Sequence, residues 1–80
     1  MPMMFLLKED LDEFKTFLKQ HGYPYRAGKG DTQVIQVWYG GEYVPVYKNN
    51  KFPDHYTVAQ KLSYIMEKYY GGKRSFPKVS

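Results

Sequence analysis

Apolar residues near the start of the chain recur at the spacing of a helix face. Leu7, Leu11, Phe14 and Leu18 are four, three and four residues apart. This spacing predicts an amphipathic helix over residues 7–21. Acidic residues early in the segment and lysines near its end complement the helix dipole, and Gly22 is a residue that commonly ends a helix. The pattern leaves open whether residues 1–5 extend this helix, form a short strand or fray.

Beyond Gly22 the apolar residues recur at every second position, which is typical of strands. Three strands fit, over residues 23–27, 32–39 and 42–47. Gly40 and Gly41 separate the second and third of them, and a two-residue hairpin turn needs positive φ at both positions. The turn predicts the cross-strand pairs Tyr39–Glu42, Trp38–Tyr43, Val37–Val44, Gln36–Pro45, Ile35–Val46 and Val34–Tyr47.

This register gives the hairpin two unlike faces. The branched residues Ile35, Val37, Val44 and Val46 share the face that covers helices. The other face is aromatic, with Trp38, Tyr43 and Tyr47 projecting beside Val34, Gln36 and Pro45. Pro45 lacks an N–H, which places the third strand at an edge of the sheet. The register of the first strand stays open by one residue, so Tyr23 and Tyr25 belong either to the aromatic face or to the core.

A second helical stripe follows the strands, with Val58, Leu62, Ile65 and Tyr69 at spacings of four, three and four. Either Asp54 or Thr57 caps it, Thr57 forming a capping box with Gln60, and Gly71–Gly72 ends it. The sequence therefore predicts one small α+β domain over residues 1–72. Its order is α-β-β-β-α, with a three-stranded antiparallel meander and both helices on one face.

Composition narrows the class of protein further. Eighty residues, 42% of them hydrophobic, suit one small core, and the absence of cysteine excludes disulfides and thiolate zinc sites. The longest apolar run lies within residues 1–7, far short of the roughly 20 residues of a membrane span. We expect a cytoplasmic protein without a membrane segment. Three of the cations behind the net charge of +4 are Lys73, Arg74 and Lys78, which predict a basic, flexible tail over residues 73–80.

Candidate catalytic groups are sparse. Neither His21 nor His55 has a carboxylate at a metal-ligand spacing, and the segment from Gly28 to Thr32 is better explained as a hairpin loop than as a phosphate loop. We therefore expect neither a metal nor another cofactor, and a non-enzymatic protein. A degenerate ribonuclease that uses His21 or His55 is the enzymatic alternative.

The aromatic content indicates a binding surface. Nine tyrosines and one tryptophan occur in this chain, and such rings stack on unpaired bases or anchor a protein partner. The prediction is a module that binds RNA or single-stranded nucleic acid, with Trp38, Tyr43 and Tyr47 stacking and Arg26, Lys29, Lys48, Lys51, Lys73 and Arg74 contacting phosphates. The alternative is a protein-interaction module or inhibitor, such as a phage or mobile-element accessory protein that binds a host protein. The chain is expected to be a monomer or a homodimer.

The helix-strand-strand-strand-helix order resembles the double-stranded RNA-binding domain fold. Within that group the residues Leu18-Lys19-Gln20-His21-Gly22-Tyr23, Arg26, Lys29-Gly30 and Val44-Pro45-Val46 are most similar to the HicA family of small toxin ribonucleases. HicA-like proteins have a catalytic histidine at the start of the second strand, where this chain has Gly30-Asp31-Thr32. Double-stranded RNA-binding domains have a lysine cluster at the start of the second helix, where this chain offers Lys61 and Lys68. The resemblance thus implies a fold, and neither family's functional residues carry over.

Overall fold

In the part of the chain that the structure describes, a five-stranded antiparallel sheet packs against two helices. The protein is described by a computed structural model over residues 4–71. The strands are β1 (Met4–Leu7), β2 (Tyr25–Ala27), β3 (Gln33–Tyr39), β4 (Glu42–Lys48) and β5 (His55–Val58), and the helices are α1 (Leu11–Gln20) and α2 (Ser63–Gly71). A 3-10 turn leads into each helix, at Lys8–Asp10 and at Gln60–Leu62. The strand order across the sheet is β1-β5-β4-β3-β2.

The predicted α+β class is confirmed, and the predicted three-stranded α-β-β-β-α layout is wrong. The two additional strands, β1 and β5, pair with each other, and Met4 lies opposite Val58. Thr57 is therefore a strand residue and not a helix cap, and α2 begins at Ser63. The first helix is shorter than predicted as well, because Leu7 belongs to β1.

The prediction that the third strand lies at an edge is also wrong, because β4 lies between β3 and β5. The pairing with β5 reaches only from Val46 to Lys48. Pro45 lies just before this stretch, opposite Gln36 of β3. A proline in an interior strand normally loses a ladder hydrogen bond, and here it occupies the part of β4 that β5 does not reach.

The hairpin register is confirmed at five of the six predicted pairs, from Tyr39–Glu42 to Ile35–Val46. Gly40 and Gly41 have φ values of 64° and 85°, as the tight turn requires. The sixth pair is wrong: Gln33, not Val34, lies opposite Tyr47, because a bulge shifts the register between Gln33 and Ile35. Val34 is half-buried and packs against the core instead of projecting from the aromatic face.

The core lies between the sheet and both helices. Ile35, Val37, Val44 and Val46 are buried, as predicted, and they form one cluster with the apolar side chains of the two helices. The helices also contact each other directly, since the ring centres of Phe14 and Tyr69 are 5.2 Å apart. Tyr25 of β2 lies opposite Val37, so the open question of the β2 register is answered: Tyr23 and Tyr25 pack against the core.

A buried polar contact ties the end of α2 to the start of the chain. The Tyr70 hydroxyl donates to Oδ2 of Asp10 (2.9 Å) and accepts the backbone N–H of Leu7 (3.1 Å). Asp10 is only 7% exposed, so this contact supplies a partner to a carboxylate that burial would otherwise disfavour. It fixes β1 beside α2.

Neither helix of the described chain has the length and apolar character needed to cross a membrane. The predicted domain boundary after residue 72 and the predicted basic tail over residues 73–80 lie outside the described residues.

Candidate functional site

One face of the sheet packs on the helices, and the strand residues that alternate with the core residues form the other, which we call the outward face. It comprises Phe5 and Leu7 of β1, Arg26 of β2, Gln33, Gln36 and Trp38 of β3, Tyr43, Pro45 and Tyr47 of β4, and His55 and Thr57 of β5. Trp38 and Tyr47 are 42% and 41% exposed. The outward face therefore has two accessible aromatic rings, one on β3 and one on β4.

Trp38, Tyr43 and Arg26 form a compact group at one end of the outward face. The rings of Trp38 and Tyr43 meet edge to face, with centroids 5.0 Å apart. Cζ of Arg26 lies 3.7 Å from the centre of the Tyr43 ring, a distance typical of a cation–π contact. Arg26 therefore covers Tyr43, and Trp38 is the ring of this group that offers more of its surface to a ligand.

A chain of side-chain hydrogen bonds crosses the outward face from Arg26. Nε of Arg26 donates to Oε1 of Gln36 (2.6 Å), and Nε2 of Gln36 donates to Oε1 of Gln33 (2.7 Å). The backbone N–H of Lys29 also donates to Oε1 of Gln33 (3.0 Å). Gln36 is 5% exposed, so the chain holds a buried amide in place and links β2, β3 and the loop between them.

A second group of rings, which the sequence reasoning missed, lies at the other end of the outward face. Phe5, His55 and Phe52 are in mutual contact, with centroids 5.7 to 6.4 Å apart. Phe52 lies in the loop before β5 and is 50% exposed. The sequence offered an indication of β5, because the run of Tyr56, Thr57 and Val58 is rich in strand-forming residues.

The predicted cations divide between the two sides of the sheet. Arg26 lies on the outward face, and Lys29 borders it through its backbone contact to Gln33. Lys48 follows Tyr47 in β4 and so points to the helix side, where it lines a cleft of about 300 Å³ with Tyr56 and Lys8. The structure therefore does not bring Lys48 to the rings.

The remaining predicted cations are Lys51, Lys73 and Arg74. Lys51 is exposed in the loop after β4, and its backbone N–H donates to Oδ1 of Asn49 (2.9 Å). Nδ2 of Asn49 in turn donates to Oγ1 of Thr57 (3.1 Å), which joins this loop to the outward face. Lys73 and Arg74 lie outside the described residues.

Carboxylates are absent from the strand positions of the outward face. Glu42, at the start of β4, points to the helix side, where it forms an ion pair with Lys61. Glu9, Asp12 and Glu13 belong to the first 3-10 turn and to α1. The outward face therefore has donors and a cation but no strand-borne negative charge, which favours an anionic ligand.

The histidines lie on different elements. His21 follows α1, with its ring centre 4.2 Å from that of Phe17, and His55 belongs to the second ring group. Within residues 4–71, no group of three or more His, Cys, Asp or Glu side chains is arranged to hold a metal ion.

The chain was compared with protein-family models, curated proteins and solved structures, and none of the three comparisons gave a match.

Proposed function

We propose that this protein is a binding module for single-stranded nucleic acid and that the outward face is its binding surface. Trp38 and Tyr47 stack on bases, Tyr43 supports Arg26 from below, and Arg26 together with Lys29 and Lys51 contacts the phosphate backbone or base edges. The sequence adds Lys73 and Arg74 of the tail as further phosphate contacts.

The observation that carries this proposal is the combination of exposed rings and absent carboxylates on one sheet face. Trp38 and Tyr47 are each more than two-fifths exposed, so both rings offer surface on which a base can stack. Tyr43 and Tyr47 are four residues apart on one strand, about 13 Å at the usual rise. Bases that lie along β4 therefore meet the Trp38–Tyr43 group first and Tyr47 next, as stacking on a sheet requires.

A protein partner is the second use that the same rings allow. The face favours nucleic acid because its strand residues contribute Arg26 and no carboxylate, while the acidic residues of α1 are in the helix layer and Asp31 and Asp54 lie in loops. Stacking on bases is tolerant of sequence, whereas an anchor for a protein needs a fitted pocket.

The test is fluorescence anisotropy with a labelled short oligouridylate, repeated over a series of salt concentrations. Three to five phosphate contacts predict that log K falls with log salt at a slope of about −2 to −3.5. Replacement of Trp38 or Tyr47 by alanine is expected to weaken binding by about 1–3 kcal/mol each, because each removes one stacked base.

Tyr64→Ala is the matched control. Tyr64 is 51% exposed on α2 and has Nζ of Lys68 5.2 Å from its ring centre, so it resembles the Arg26–Tyr43 pair in chemistry but lies in the helix layer. Its removal is expected to leave affinity unchanged. Absence of salt-dependent binding in the wild type, or equal losses in Tyr64→Ala and Trp38→Ala, would contradict the proposal. The first result would leave the outward rings to a protein partner.

A further inference from the structure

The orientation of both amides on the outward face is fixed by the ends of their hydrogen-bond chain. One end is the backbone N–H of Lys29, which can only donate, so the Gln33 atom that it contacts must be the carbonyl oxygen. That same oxygen accepts from Gln36, so the atom of Gln36 in this contact is its amide nitrogen. The carbonyl oxygen of Gln36 is then turned to Arg26, whose Nε also can only donate. Both ends give the same answer.

This orientation decides which groups remain for a ligand. The amide oxygens of Gln33 and Gln36 are both engaged within the chain. Within residues 4–71, the amide NH₂ of Gln33 and the terminal guanidinium nitrogens of Arg26 have no hydrogen-bond partner in the protein. Gln36 is buried, so the polar groups that this strip (Arg26, Gln36 and Gln33) leaves for a ligand are the Gln33 amide NH₂ and the Arg26 guanidinium, which are both hydrogen-bond donors. We call this strip the donor strip.

The donor strip runs between the two rings that are proposed to stack bases. Gln33 lies directly across from Tyr47, and Arg26 lies on Tyr43 beside Trp38. Side chains opposite each other in an antiparallel pair have Cβ atoms about 5 Å apart. A base stacked on Tyr47 thus brings the polar atoms of its edge within reach of the Gln33 amide.

We propose that the donor strip makes this surface select bases with carbonyl edges, uracil and guanine, over bases with amino edges, cytosine and adenine. The inference rests on the proposed function. Uracil presents an oxygen at the position where cytosine presents an NH₂ group, and guanine presents two acceptors where adenine presents one donor and one acceptor. An amino group that faces a strip of donors has no acceptor to meet and loses its hydrogen bond to water. Gln33 is the specificity-determining residue.

Oligouridylate and oligocytidylate of equal length are the sharpest pair of probes, because the two pyrimidines have nearly the same size and stacking surface. Binding of each to the full chain is measured by anisotropy at one salt concentration. The wild type is expected to bind oligouridylate about tenfold more tightly. In Gln33→Glu, the carboxylate still accepts from Lys29 and Gln36 but turns an acceptor outward. The uridylate preference is then expected to vanish or to reverse toward cytidylate.

The ratio of the affinities for oligouridylate and oligocytidylate separates recognition of the base edge from the effect of the added charge on the phosphates. A new carboxylate weakens both oligonucleotides through the phosphate backbone, and this common loss cancels in the ratio. Gln20→Glu is the matched control, since it introduces the same charge at an exposed position near the end of α1. It is expected to preserve the tenfold ratio.

The outcomes distinguish this inference from the proposed function. Equal affinity of the wild type for the two oligonucleotides overturns the inference and leaves the binding surface in place. A uridylate preference that persists in Gln33→Glu overturns the role of Gln33. Failure of both oligonucleotides to bind overturns the proposed function and the inference with it. The wild-type ratio decides the matter even if Gln33→Glu does not fold.

Discussion

Gly28 lets the loop between β2 and β3 close onto the start of β3. Its backbone N–H donates to the carbonyl of Val34 (3.2 Å). A Cβ atom at this position would lie 2.5 Å from the backbone carbon and oxygen of Gln33, far inside van der Waals contact. The lack of a side chain at Gly28 thus allows the approach that puts the Lys29 N–H onto Gln33.

We predict that Gly28→Ala lowers the free energy of unfolding by about 1–3 kcal/mol, because the methyl group forces the loop away from Gln33. Urea denaturation measures the change. Gly71→Ala is the control, since a methyl group there meets nothing within 4 Å, and it is expected to stay within about 0.5 kcal/mol of the wild type. Equal stability of Gly28→Ala and the wild type would show that the loop at Gly28 is not in close contact with the Gln33 backbone.

Single residues also show where sequence reasoning succeeds. The double glycine fixed the turn, and alternation then predicted five cross-strand pairs and the exposed positions of Trp38 and Tyr47 correctly. The bulge at Val34 was not predictable, because an extra residue in a strand needs no special composition. The bulge puts Gln33 instead of Val34 on the outward face, so the sequence reasoning missed the residue that we propose to select bases.

Among the elements, β1 and β5 were missed for a different reason. Each has four residues, which is too short for a period of two to be distinguished from other patterns. Their main stabilisation comes from pairing with each other across some fifty intervening residues, and no local pattern reports such a contact. Val58 also fits the helical spacing that continues through Leu62 and Ile65, so a strand residue was assigned to the second helix.

The pairing of β1 predicts a difference between two adjacent leucines. Leu6 is fully buried beneath the helices, whereas Leu7 is half-buried and belongs to the outward face. Leu6→Ala is expected to cost about 2–5 kcal/mol of unfolding free energy and Leu7→Ala clearly less, because only the first leaves a cavity in the core. Chemical denaturation of both variants compares them. Similar losses of unfolding free energy would mean that the side chains of β1 do not alternate between the core and the outward face.

At the scale of the whole molecule, the carboxylates of α1 and the exposed rings of Trp38 and Tyr47 lie on opposite sides of the sheet. The helix layer contains the acidic residues of α1, the Glu42–Lys61 ion pair and the buried contact between Asp10 and Tyr70. The outward face contains the exposed rings, Arg26 and the donor strip. Net charge alone does not reveal this arrangement, because residues 1–70 hold nine Lys or Arg against eight Asp or Glu. The fold places Arg26 on the outward face and no carboxylate at its strand positions, and this distribution of charge favours an anionic ligand.

The most direct test of the outward face as the binding surface is a map of amide and side-chain NMR shifts during titration with oligouridylate. We predict that the largest changes occur at the Trp38 indole N–H, the Arg26 Nε–H and the Gln33 and Gln36 side-chain amides. The amides of α1 and α2 are expected to change little. Shifts concentrated on the helices, with the Trp38 indole unmoved, would contradict the account.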